Sequence, residues 1–299
     1  MLRFEGRVAV VTGAGGGLGR AHAIMLASRG ARVVVNDVGT AVDGSGGGPG
    51  PAQEVTQAII AAGGEAVADT NSVAAVESGA AIIATALESF GRIDILVNNA
   101  GTTGKTSMQN LDLRRFDVAI SSHLLGTFWT TKAAWPLMLD QGYGRIVNTT
   151  SGVGYFGMGG ATVYAAAKMG IDGLTRSLAI EAEPHGIRVN CVAPLAQTRM
   201  AGSVYGAIGQ KLDPSLVSSV VTYLAHEECS FNGRVLSAGG GRVAEIFFGS
   251  TVGLFEAALA PEDVAARLDE VTDRQAFVEP VNALDEVSVV GRRLKEQGR

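Results

Sequence analysis

Tyr164 and Lys168 lie four residues apart in the run Tyr164-Ala165-Ala166-Ala167-Lys168. On a helix this spacing sets both side chains on one face, about 5–6 Å apart at Cβ. A phenol ionises near ~10 on its own and is a weak base at neutral pH. An adjacent ammonium favours the phenolate and lowers that pKa. The pair then takes a proton from an alcohol or gives one to a ketone. Such pairs are common on helix surfaces, so position decides. Ser151 directly follows an apolar run at 145–150. A hydroxyl there can hold the reacting oxygen and steer it toward Tyr164, or it can simply satisfy local backbone.

A second constellation closes the first apolar run: Thr12-Gly13-Ala14-Gly15-Gly16-Gly17-Leu18-Gly19. Glycines let the chain turn sharply and approach a pyrophosphate with no Cβ in the way. The helix that follows would present unpaired N–H groups and a favourable dipole to the phosphates. Gly13, Gly15, Gly17, Leu18 and Gly19 are therefore candidate cofactor contacts. The second run ends in Asn36-Asp37. A carboxylate at that point can accept both hydrogen bonds of an adenosine ribose diol and repels a 2′-phosphate. No Lys or Arg lies within 13–19 to neutralise such a phosphate. Both features favour NAD over NADP, against the plainer reading of Asp37 as an ordinary loop acid.

These groups need elements to position them. Val- and Ile-rich runs at 7–12, 32–37, 65–69, 93–98, 145–150, 187–193 and 234–237 read as strands buried on both faces. Helical segments at 18–28, 52–61, 73–90, 113–139, 160–183 and 214–225 alternate with them. Strand–helix–strand repetition predicts one Rossmann-type three-layer α/β/α domain over 1–240, with a doubly wound parallel sheet of about seven strands. The glycine-rich stretch 39–51 reads as a disordered insert or a lid over the cofactor. Residues 241–299 read as a C-terminal extension of the same domain, or as an arm packing on another subunit. That stretch has one amphipathic helix at 261–271 and a charged tail at 285–299.

Composition narrows the function further. Of 299 residues, 46% are hydrophobic and 18% charged, which supports a sizeable core. The net charge of -5 and the absence of a basic run argue against a nucleic-acid partner. No apolar stretch approaches the length of a membrane span, and the N-terminus lacks the pattern of a signal peptide. A cytoplasmic protein is expected. Cys191 and Cys229 form no ligand motif, and His22, His123, His185 and His226 are scattered, so no metal is expected.

In order and spacing, the turn from Thr12 to Gly19, Asn98-Asn99-Ala100-Gly101, Ser151, Tyr164-x-x-x-Lys168 and Pro194 with Thr198 resemble the short-chain dehydrogenase/reductase family over 6–237. The resemblance implies an NAD-dependent oxidoreductase acting on CH–OH groups. It implies that Asn99, Ala100 and Gly101 line the adenosine side, that Asn71 and Ser72 contact adenine, and that Pro194 and Thr198 hold the nicotinamide carboxamide. His123, in Ser122-His123-Leu124-Leu125-Gly126, stands where the family carries a catalytic Asn. It either holds a water that relays protons to Lys168 or is a structural replacement. The family also implies a homodimer or homotetramer paired through the helices at 113–139 and 160–183, with Ala161, Ala165, Ala179 and Ala182 at the contact.

A narrower resemblance rests on Val35-Asn36-Asp37, His123-Leu124-Leu125-Gly126, Gly144-Arg145-Ile146-Val147 and Thr198-Arg199-Met200. These look like the dehydrogenase part of the peroxisomal multifunctional β-oxidation enzymes, which oxidise (3R)-hydroxyacyl-CoA thioesters and whose close relatives act on steroids. This implies a 3-hydroxyacyl-CoA or hydroxysteroid dehydrogenase. The alternatives are a dehydrogenase of a polyol, terpenoid or diketone, and a non-catalytic NAD-binding protein.

Overall fold

Seven runs rich in apolar residues form strands, most of them buried on both faces. They are β1 (Val8–Thr12), β2 (Arg32–Asn36), β3 (Glu65–Asp69), β4 (Ile95–Asn98), β5 (Gly144–Thr149), β6 (Ile187–Pro194) and β7 (Val235–Gly239). The computed structural model describes residues 1–41, 43–103, 105–202 and 204–296. Val42 of the expected 39–51 loop and the last three residues of the expected tail lie outside the described residues. The strands pair in parallel in the order β3-β2-β1-β4-β5-β6-β7.

Parallel neighbours need crossovers, which α1 (Gly17–Ser28), α2 (Gly50–Ala61) and α3 (Val76–Phe90) begin to supply. Next come α4 (Leu113–Ala119), α5 (Gly126–Gln141), a short α6 (Gly152–Phe156), α7 (Thr162–Ala182) and α8 (Pro214–Leu224). Two buried clusters fill the two sides of the sheet. One joins Leu26, Val33, Val55 and Leu224; the other joins Ile82, Met138, Ile146 and Ala179. This is the expected three-layer doubly wound fold. The strand order reverses between β1 and β4, which opens a crevice above their C-terminal ends.

The sheet gains an eighth strand, β8 (Arg242–Ile246). Gly240 (φ 58) and Gly241 (φ 84) form its two-residue connection to β7. Positive φ at both positions is the primed hairpin turn, so β8 runs back along β7. Its residues are mostly exposed, and it therefore lacks the continuous apolar signal of the other seven.

The helix expected over 113–139 is interrupted. Between α4 and α5 lies a π-helical segment, Ile120–Leu125, that carries His123. Small residues expected to mediate subunit contact on α7 are placed otherwise: Ala161, Ala179 and Ala182 are buried within the chain's own core. Ala166, Gly173, Ser177 and Ile180 face outward instead.

The described chain forms two compact units, Met1–Glu245 and Ile246–Arg299. The second holds a small antiparallel pair, β9 (Ser250–Thr251) with β10 (Phe277–Val278), and three helices. In place of one helix at 261–271 there are α9 (Pro261–Ala266) and α10 (Leu268–Thr272), because Arg267 leaves helical geometry at φ -121. The expected charged tail forms α11 (Ala283–Glu296), with Asp285 and Glu286 in its first turn and Arg293 and Lys295 in its last. That polarity complements the helix dipole. Among the described residues no helix is long and apolar enough to cross a membrane.

Candidate active site

The glycine turn leaves β1 with Gly13 at φ 65, a left-handed conformation that a side chain resists. Asn99 at the end of β4 pins it, donating to the carbonyls of Thr12 (3.0 Å) and Gly13 (3.1 Å). The Thr12 hydroxyl accepts from the N–H groups of Asn99 and Ala100 at 3.1 Å each. Asn99 thus serves the turn itself. Asp37, just past β2, folds over the turn: Oδ2 accepts from Gly15 N–H at 2.8 Å and Oδ1 from Gly39 N–H at 2.7 Å. A Cβ on Gly15 would collide with that carboxylate at 2.8 Å. Each oxygen keeps a lone pair for a ribose hydroxyl.

Helix α1 begins at Gly17 with no side-chain cap and no acid in its first turn. Its first N–H groups therefore have no partner within the helix. The sequence reading missed what covers them. Arg199, on the segment after β6, reaches within 3.1 Å of where a Gly16 Cβ would stand, and Thr198 packs on Gly17. Among the described residues the Arg199 guanidinium makes no ion pair. An uncapped helix N-terminus under a free guanidinium is a donor set for a pyrophosphate.

The second group gathers at the C-terminal end of β5. Ser151 caps α6, accepting from Val153 N–H at 3.2 Å, and its hydroxyl also faces the Tyr164 phenol. Burial raises the Tyr164 pKa, while Ser151 lowers it and Tyr205 raises it further. Lys168 makes no hydrogen bond to the Tyr164 phenol among the described residues. Lys168 is buried and donates to the Thr149 carbonyl at 2.7 Å, with its nitrogen 5.7 Å from the centre of the Tyr164 ring. Burial also pushes its own pKa down to about 7, so it is not a full charge at neutral pH.

His123 stands edge-on to Tyr164, ring centroids 5.1 Å apart at 90°. Its Nε2 lies 2.7 Å from the Thr102 carbonyl oxygen and 3.1 Å from the Thr102 nitrogen. The shorter contact places the proton on Nε2, donating to the carbonyl. Nδ1 is then a bare acceptor, buried and without a partner among the described residues. Burial and the charge of Lys168 push the His123 pKa down to about 3, so the ring is neutral. Gly101 has no room for a side chain because the His123 ring fills that space.

Two cavities meet over Gly101. One, about 380 Å³, is lined by Gly13, Asp37, Asn71, Ser72 and Ala100. The other, about 360 Å³, is lined by Leu18, His123, Ser151, Tyr164, Lys168, Pro194 and Thr198. The structure therefore brings the predicted residues into one groove. It runs from the acid after β2, past the glycine turn, to the phenol. Asn71 and Ser72 lie at its far end, and Asp69 holds Asn71, accepting from its side chain at 2.8 Å. Met200, Ala201, Val204 and Tyr205 complete the wall beside Tyr164; Ser203 lies outside the described residues.

The family described as short chain dehydrogenase matches residues 7–206. The chain is 44% identical over 275 residues to a short-chain type dehydrogenase/reductase of Mycobacterium tuberculosis, covering 91% of this chain and 96% of that one. It is 39% identical over 256 residues to a hydroxyacyl-CoA dehydrogenase of the same organism, covering 80% and 79%. The peroxisomal multifunctional enzyme type 2 of Drosophila melanogaster is 45% identical over 241 residues, covering 80% of this chain and 40% of that enzyme. The full-length structure of that fly enzyme superposes with a TM-score of 0.83 at 34% identity, over 99% of this chain and 50% of that one. A 7α-hydroxysteroid dehydrogenase complexed with NADH and 7-oxo glycochenodeoxycholic acid superposes with a TM-score of 0.72 at 28% identity, covering 80% and 95%. The chain spans about half the length of the multifunctional enzyme it matches.

Proposed function

The chain belongs to the short-chain dehydrogenase family and is an oxidoreductase with a nicotinamide cofactor; from that premise we propose that it uses NAD to oxidise the carbinol of a 3-hydroxyacyl-CoA or hydroxysteroid. One observation carries the reading: Tyr164, Ser151 and Lys168 converge at one end of a groove whose other end is Asp37. Asp37 would hold the adenosine ribose and the α1 N-terminus with Arg199 the pyrophosphate. Pro194 and Thr198 would flank the carboxamide. The bound cofactor supplies the hydride acceptor.

Ser151 holds the substrate oxygen by a hydrogen bond. Tyr164 takes the hydroxyl proton as its own phenolic proton passes on toward Lys168, the carbinol C–H leaves as hydride to the cofactor that would be bound there, and the ketone forms. Lys168, ionising near 7, is the group that can accept a proton onward at neutral pH. The bare Nδ1 of His123 suits a bridging water that carries the proton between them. The hydroxyacyl-CoA and hydroxysteroid readings draw on the names of the relatives above. We also propose a homo-oligomer, dimer or tetramer, built on the outward faces of α5 and α7. A monomer by light scattering would overturn that.

The test follows NADH formation across matched 3-hydroxyacyl-CoAs, hydroxysteroids and polyols, with Tyr164→Phe alongside. Turnover of a thioester or steroid should fall at least about a thousandfold in the variant while NAD binding holds. Turnover on polyols alone would replace the substrate reading. Equal rates in both proteins would remove Tyr164 from the chemistry.

A further inference from the structure

A third chamber opens beside Tyr164, about 270 Å³ in volume, and belongs to neither half of the cofactor groove. It lies between residues 102–103 and 105–111, α4 and the start of α7, and it shares Thr103, Lys105, Ala161 and Tyr164 with the catalytic chamber. Met108, Leu111 and Val118 give it an apolar side. Lys105, Arg114 and Arg115 give it a basic one.

The charge distribution is uneven. The chain carries a net charge of -5, yet the two chambers that meet at Tyr164 are lined by Lys105, Arg114, Arg115 and Lys168 against one acid, Asp43. Asp43 sits in the glycine-rich segment after β2, and its pKa is lowered by Ser45 first and by Arg114 last. Arg114 makes no ion pair among the described residues. Arg115 reaches Asp112 at 3.6 Å, a long contact between exposed groups. Lys105 makes no ion pair among the described residues.

We infer that this chamber is an anion-binding arm of the substrate site, in which Lys105, Arg114 and Arg115 hold a phosphate or carboxylate carried on an arm of the carbinol substrate. The inference deepens the substrate reading above and rests on it. An apolar wall leading to clustered cations fits an amphiphilic arm that ends in negative charge. It does not fit a polyol, which offers the cations nothing. Planar guanidinium forks suit both anions. Phosphates of a coenzyme A thioester and the carboxylate of a conjugated steroid share that chemistry.

The test uses two pairs of substrates that differ only in charge. One 3-hydroxyacyl group is presented on coenzyme A and on phosphate-free pantetheine; one hydroxysteroid is presented with and without a carboxylate-bearing conjugate. In Arg114→Gln/Arg115→Gln, KM for the anionic member should rise roughly tenfold, as expected for two exposed charge contacts. Its salt dependence should shrink. The uncharged member, kcat and the KM for NAD should not move. A rise confined to the steroid conjugate, with both thioesters refused by the wild type, keeps the anion site and removes the acyl-CoA reading. Normal KM for every anionic substrate in the variant removes the site and leaves the substrate reading standing. If the wild type turns over neither class, calorimetry of free coenzyme A against the NAD-loaded protein decides. Loss of binding in the variant supports the site, and binding that is equal or absent in both proteins overturns it.

Discussion

The Lys168 ammonium donates to the Thr149 carbonyl across 2.7 Å and not to the Tyr164 hydroxyl. Burial lowers the Lys168 pKa to about 7 and raises that of Tyr164 above its ordinary value. The first proton lost by the pair therefore leaves Lys168. Alcohol oxidation needs a proton acceptor, so kcat/KM should fall with falling pH below about 7 and level off above it. In Lys168→Met that break should vanish, and the rate should rise only in the alkaline range where Tyr164 itself ionises. A break still near 7 in the variant would assign it to another group.

His123 is held neutral, with its pKa pushed down to about 3 by burial and the charge of Lys168. A neutral acceptor can be replaced by an amide oxygen but not by an alkyl group. His123→Asn should keep kcat within a few-fold of wild type. His123→Leu should lose about a hundredfold while NAD binding holds, as expected for one proton-transfer contribution. Equal activity of the two variants would make the histidine a packing residue.

Both oxygens of Asp37 accept backbone N–H groups, from Gly15 and Gly39. The carboxylate is thus oriented before a ribose arrives. Asp37→Ala should weaken NAD roughly ten- to a hundredfold, the worth of charged hydrogen bonds. NADP should gain relative to NAD, because the repulsion of its 2′-phosphate is gone. Titrations giving an unchanged NADP/NAD ratio would strip Asp37 of its selective role.

The strands and the glycine turn could be read in the sequence because burial on both faces favours a nearly continuous apolar run, which β1, β2 and β4 show most fully. Tyr164, Lys168 and Ser151 were legible from their spacing together with their place after the apolar run at 145–150. The π-helical segment Ile120–Leu125 was not, since its cause is distant: His123 bonds to Thr102 across 21 positions. Arg199 escaped for a similar reason. It meets Gly16 only after β6 has crossed the sheet, and no local pattern marks it. The hydrogen bond from Lys168 to the Thr149 carbonyl was invisible because it joins positions 19 apart that only the fold brings together. Strand β8 lacks a buried face, so alternation carried little signal for it; in α11 Leu284, Val287, Val290 and Leu294 do recur at helical spacing, but the many charges between them read as a solvated tail.

Arg199 stands over the glycine turn at Gly16 without an ion pair among the described residues. If it meets the pyrophosphate, Arg199→Gln should raise the Kd for NAD and for ADP-ribose roughly three- to tenfold. The salt dependence of both should weaken, since one charge contact is gone. Adenosine, which lacks the pyrophosphate, should bind the variant and wild type alike. A matching loss for adenosine would point to a disturbed turn.

His22 is buried between α1 and α8, with Nδ1 2.7 Å from the Ser218 hydroxyl and Nε2 without a partner. Burial pushes its pKa from 6.5 down to about 3. Between those values the unfolded chain binds a proton that the folded chain refuses. Stability is therefore intact above 6.5 and is lost as pH falls. For one such histidine the loss at pH ~5 is roughly 2 kcal/mol. His123 adds a loss of the same sign. In His22→Gln the difference between urea stabilities at pH ~7 and ~5 should shrink by about 2 kcal/mol, because one of the two refusals is gone. An unchanged difference would mean that His22 takes up its proton in the folded protein, and that the α1–α8 contact admits water.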